Sequence, residues 1–108
     1  MSKPRYGWWS YAKYMVREYP KLKREQLDHQ LAPAKKAEYE AVQMAIEQTM
    51  GLQTGKERLA LIDMVFWTRS HTLDGAACAL GYSSITAKRF HGDFLRLVGF
   101  YRGLEDES

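Results

Sequence analysis

The chain has 108 residues, 45% of them hydrophobic, and a formal net charge of +3. That is enough apolar side chain for one small core, and a charge too slight to identify a nucleic-acid partner by itself. A single cysteine, Cys78, excludes an intrachain disulfide and suggests no thiolate metal site; no apolar run approaches the roughly 20 residues a membrane span needs.

Charge distribution says more than its sum. Residues 1–36 hold nine Lys or Arg against three acids, residues 37–71 three against five, and residues 72–102 four against two. Positive charge is therefore gathered in the amino-terminal arm and near the carboxyl end, with an acidic stretch between. The start, Met1-Ser2-Lys3-Pro4-Arg5, lacks the apolar core of a signal peptide, so a reducing cytoplasm is the expected setting. Glu105-Asp106-Glu107 reads as a short frayed acidic tail.

In chain order the elements are helices. Trp8, Tyr11, Ala12, Met15, Val16 and Tyr19 recur at helical spacing and predict an amphipathic first helix, interrupted or kinked at Pro20, with a polar continuation over Lys21–Leu27. Trp9 and Tyr14 lie off this stripe and are candidates for a partner surface, although aromatic residues packed on the protein's own core are the simpler account. Gln26–Ala34 has no helical period and reads as a loop or linker. As a linker it would let the first helix dock on a second copy of the chain.

A second helix is expected from Pro33, with Tyr39, Val42, Ile46 and Met50 on its apolar stripe, Ala41 and Ala45 beside it, and Glu38, Glu40 and Glu47 outside. Gly51-Leu52-Gln53 ends it. Thr54-Gly55-Lys56-Glu57 has the form of a capping box opening a third helix, whose Leu59, Ile62, Val65, Phe66 and Arg69 share one side.

The last stretch carries the functional signal. Ala76-Ala77-Cys78-Ala79-Leu80 runs into Gly81, and Ser83 and Ser84 open another helix. This order suits a helix-turn-helix: Ala77 allows close crossing, Gly81 a positive backbone angle, and Leu80, Ala87 and Phe90 a small core beneath. Cys78, among alanines, is expected to be a small buried apolar group. Ser83 is placed to cap the second helix by accepting an amide hydrogen at Ala87 or one residue earlier. Ser84, Ile85, Lys88 and Arg89 then share the face opposite Ala87 and Phe90, with hydroxyl and apolar groups suited to base edges and cations suited to phosphates. The competing interpretation is a helical hairpin with a merely solvated polar face.

Catalytic patterns are poor. His29, His71 and His91 are scattered, Ser83 and Ser84 have no histidine–acid pair, and Gly51–Glu57 lacks both the spacing and the strand of a phosphate loop. His91 reads as an exposed imidazole or, less simply, a phosphate contact. No enzyme, metal or cofactor is expected.

Glu57–Trp67, Ser70–Ala77 and Ser83–Val98, with the amino-terminal WWSYAKYMVREYPKL, resemble small phage and prophage regulators of the RinA and ArpU type. These in turn resemble region 4 of bacterial sigma factors, with a Thr-Leu-acidic start, a Gly turn and a basic reader helix. The resemblance implies an all-α fold, with residues 1–53 an amino-terminal helical region and residues 54–104 a sigma region-4-like helix-turn-helix region. It further implies a sequence-specific regulator of late genes in a bacterial cytoplasm, bound to double-stranded DNA. The DNA-binding residues would be Ser83, Ser84, Ile85, Lys88, Arg89 and Arg96. A homo-oligomer through the amino-terminal helices and a contact to host RNA polymerase are further expectations. The chain departs from sigma factors in having no promoter-melting domain. Gly75 and Gly92 stand where better helix formers are expected, at about 1 kcal/mol each relative to alanine. The alternative is a terminase-small-subunit-like packaging protein, which would assemble as a ring.

Overall fold

The computed structural model describes residues 7–104 and is all-α. The amino-terminal Met1–Tyr6, the expected acidic tail Glu105–Glu107 and Ser108 lie outside the described residues. In order come α1 (Trp9–Leu27), α2 (Pro33–Met50), α3 (Gly55–Ile62), a π-helical turn (Asp63–Trp67), α4 (Leu73–Leu80) and α5 (Ser84–Tyr101).

Helix α1 buries Ala12, Met15, Val16, Tyr19 and Leu22 and runs unbroken through Pro20, correcting the expected interruption. The reason lies in one hydrogen bond. Proline has no N–H to give the carbonyl four residues earlier, that of Val16. The indole Nε1–H of Trp67 donates to that carbonyl instead, at 2.8 Å. The helix keeps its course because another element supplies the missing donor. Tyr19 stacks on Tyr39 of α2 (centroids 5.6 Å) and lies against Trp67 (5.7 Å).

The loop between α1 and α2 is shorter than expected, residues 28–32, with His29 in the left-handed region at φ 57°. It is a connection and not a flexible linker, since α1 packs on its own chain's α2, α5 and π-turn. Trp9, expected to face a partner, is half-buried against the main core, whereas Tyr14 is exposed at 36% and accepts from the Lys35 ammonium at 2.9 Å.

Helix α2 opens on Pro33 as expected and buries Ala41, Val42 and Ala45, whose small size lets α1 and α5 approach. Two expected positions are corrected. Glu38 is buried because the Tyr11 hydroxyl and the Lys35 ammonium (3.2 Å) both donate to its carboxylate, and a paired charge tolerates burial. Met50 is 53% exposed, since the helix ends there and Thr49 takes the inward place.

The third helix begins at Gly55 as anticipated, but not through a capping box. The Thr54 hydroxyl makes no amide cap and accepts instead from Arg58 Nε at 2.9 Å, while Glu57 stays exposed. Past Ile62 the helix widens into the π-turn, closed by Thr68 N–H donating to the Asp63 carbonyl at 2.8 Å. The extra residue per turn lets the adjacent Phe66 and Trp67 both reach packed positions, Phe66 toward α5 and Trp67 toward α1. It also ends the expected stripe: Arg69 is exposed, with φ 55°, and does not share the face of Phe66.

Two apolar clusters result. The larger joins α1 and α2 to the π-turn and the carboxyl half of α5 through Phe94, Leu95 and Val98. The smaller joins Leu61, Ala76 and Ala77 to Ala87 and Phe90. Helix α5 runs through both.

Candidate nucleic-acid interface

Helix α4 is capped by the Thr72 hydroxyl, which accepts from Gly75 N–H at 3.1 Å. Its other end closes in a Schellman arrangement. Gly81 N–H donates to the Cys78 carbonyl (3.2 Å) and Tyr82 N–H to that of Ala77 (2.9 Å), with Gly81 at φ 81°. An L-residue with a side chain would be strained there, so glycine sets the turn. Ala76 and Ala77 are buried beneath α5, and Leu80 packs at the edge of the same cluster. Cys78 is exposed, contrary to expectation, because the short helix is covered only on the side of Ala76 and Ala77.

The next helix starts as the sequence predicts. The Ser83 hydroxyl accepts from Thr86 N–H at 3.1 Å and also donates to, or accepts from, the Thr86 hydroxyl at 3.1 Å. Ala87 and Phe90 face inward, and Tyr82 meets Phe90 edge-on at 5.2 Å. Ser84, Ile85, Lys88 and Arg89 all face solvent, with Ile85 78% exposed. Neither Lys88 nor Arg89 forms an ion pair with a described residue. Four side chains of the expected set thus stand together on the first two turns of α5. Ser83 adjoins them, its oxygen committed to the cap.

Arg96 stands two turns further on. It is exposed and held by Asp93 at 3.3 Å, and Asp93 also takes Arg58 of α3 at 3.1 Å. The Arg58 guanidinium lies 4.3 Å over the Phe90 ring, so one cation ties α3 to α5 by charge and by stacking. An open groove of about 530 Å³ lies alongside, lined by Leu52, Leu97 and Phe100 as well as by these charged residues.

His91 is not the exposed imidazole expected. It stacks on Phe66 at 5.5 Å and 12°, and burial, with Lys13 nearby, pushes its pKa down to about 4. A phosphate contact from this ring is thereby disfavoured, as the charged form is suppressed. The signal for its burial was available: His91 is four residues after Ala87 and three before Phe94, on the inward face. Gly92, open in the sequence reading, is the place where Trp9 of α1 rests, 3.9 Å from where a Cβ would stand.

Among the described residues no cluster of His, Cys, Asp and Glu could hold a metal ion, and no helix is long and apolar enough to cross a membrane. Comparison with protein-family models, curated proteins and solved structures finds no match to this chain.

Proposed function

We propose that this chain is a sequence-specific, double-stranded-DNA-binding transcriptional regulator of phage or prophage genes, acting as a binding protein and not as an enzyme. The observation that carries the reading is the exposed start of α5: Ile85 at 78% exposure beside Ser84, Lys88 and Arg89, with no helix of the chain over them. A β-branched apolar side chain held in water on a rigid helix, flanked by unpaired cations, suits a surface that is covered on binding. The major groove of B-DNA admits one α-helix. In it, Ile85 would meet a thymine methyl, Ser84 a base edge, and Lys88 and Arg89 a guanine edge or phosphates. Arg96 would add a phosphate contact by exchanging Asp93 for the backbone.

The test is binding of selected duplexes by the double variant Lys88→Ala, Arg89→Ala. Both side chains are exposed, so the fold is retained. The slope of log affinity against log salt is expected to fall by about 1.8, or about 0.9 for each lost phosphate contact. Unchanged affinity and slope would reject the reading. A ring of many copies in solution would reassign the same surface to a DNA-packaging protein.

A further inference from the structure

The cations of α1 are arranged, not scattered. Lys13, Arg17, Lys21 and Arg24 recur at i, i+4, i+8 and i+11, a stripe turned away from the buried Ala12, Met15 and Tyr19. Arg17, Lys21 and Arg24 are exposed and Lys13 is half-buried. None of the four forms an ion pair with a described residue. Glu25, four residues after Lys21, makes no described ion pair either.

The stripe begins beside the exposed part of α5. Lys88, Gly92 and Gly99 follow one another along one face of α5, at i, i+4 and i+11. Trp9 rests on Gly92 and Trp8 on Gly99, so the start of α1 lies on the α5 face that carries Lys88. One turn into α1, Lys13 comes close enough to His91 to disfavour a second positive charge there. The positive surface therefore passes from Lys88 to Lys13 and on along α1 without an intervening acid on the stripe.

We infer that α1 is a second, sequence-independent contact surface for the phosphate backbone of the same duplex, with Arg17, Lys21 and Arg24 as its contacts. The stripe from Lys13 to Arg24 covers about 16 Å at 1.5 Å per residue. That is the axial length of about five base pairs, room for several phosphates of one strand. Four like charges along one face repel one another, and a polyanion relieves that repulsion. The side chains are long and flexible, as phosphate contact permits and base reading does not.

This inference rests on the DNA-binding reading, and one titration series separates the two. The variant Arg17→Gln, Lys21→Gln, Arg24→Gln keeps helix-forming residues at exposed positions, and circular dichroism checks its fold. Its affinity is expected to fall about tenfold or more at 0.1 M salt, and its salt slope by up to about 2.7, equally for the selected and for an unrelated duplex. The ratio of the two affinities stays at the wild-type value. Wild-type slope in the triple variant, while Lys88→Ala with Arg89→Ala still lowers it, overturns this inference alone. Absence of duplex binding by the wild-type chain at low salt overturns both, and retention instead on vesicles of anionic phospholipid would assign the stripe to a membrane surface.

Discussion

The Trp67 indole can be tested as the replacement for the donor that Pro20 lacks. Trp67→Phe keeps an aromatic ring beside Tyr19 but removes the N–H that reaches the Val16 carbonyl at 2.8 Å. Val16 is fully buried, so water is a poor substitute, and an orphaned buried acceptor costs about 1–3 kcal/mol. Replacing Pro20 by alanine restores an amide N–H one helical turn from that carbonyl, so the same Trp67→Phe change in the Pro20→Ala background leaves nothing orphaned. Loss of ring volume and of the Tyr19 contact occurs in both backgrounds and cancels. The double-mutant cycle should therefore return a coupling of about 1–2 kcal/mol, Trp67→Phe being the milder change when residue 20 is alanine. With a urea dependence of about 1 kcal/mol per molar, the midpoint shifts caused by Trp67→Phe should differ by about 1–2 M between backgrounds. Equilibrium unfolding followed by circular dichroism measures it. Costs equal to within about 0.5 kcal/mol in the two backgrounds would refute the pairing of Pro20 with Trp67.

Two further outcomes follow from the packing of α5. A Cβ at Gly99 would fall within the Trp8 ring, so Gly99→Ala should destabilise by about 1–3 kcal/mol, whereas Gly92→Ala meets Trp9 at an ordinary 3.9 Å and should gain up to about 1 kcal/mol from helix propensity. Thermal unfolding ranks the pair, and equal behaviour would show that Trp8 does not rest on Gly99. His91, with its pKa pushed down to about 4, is neutral in the folded chain over a range where the unfolded chain, near 6.5, takes up a proton. Stability from this group is complete above pH 6.5 and is lost as pH falls toward 4, at up to about 1.4 kcal/mol per unit. His91→Phe should flatten the stability profile between pH 6.5 and 5, and an unaltered slope would count against a buried imidazole.

The parts of this fold that were legible in sequence are those set by local chemistry. Thr72, Gly81 and Ser83 each satisfy or turn the backbone within a few residues of themselves, and the structure uses them as caps and turn. The buried stripes of α1 and α2 were legible for the same reason, since helical period depends on neighbours three and four residues away. What escaped depends on contacts far along the chain. Pro20 reads as a break until Trp67, 47 positions later, supplies the missing donor. Glu38 reads as a surface acid until Tyr11 and Lys35 converge on it. Thr54 and Glu57 have the spacing of a capping box, yet Arg58 competes successfully for the threonine hydroxyl. The π-turn has no sequence mark, because it is selected by the need to seat Phe66 and Trp67 in different places at once.

The exposed start of α5 acquires its rigidity from the same long-range contacts. An isolated helix of eighteen residues would be marginal in water, and its first turns would fray. Here the Ser83 cap holds the first turn, and Ala87 and Phe90 are seated on α4 and Leu61. Arg58 clamps the next turn through Asp93 and the Phe90 face, and Phe94, Leu95 and Val98 sit in the main core. Each turn behind Ile85 and Lys88 is thus fixed by a different element, and no hinge lies between the exposed residues and the core. A ligand covering that face would lose little of its binding free energy to ordering the helix, since folding has already met that cost. The Arg58–Asp93 contact stands at the join of the two clusters, so weakening it should loosen the positioning of Lys88 and Arg89 without touching either side chain.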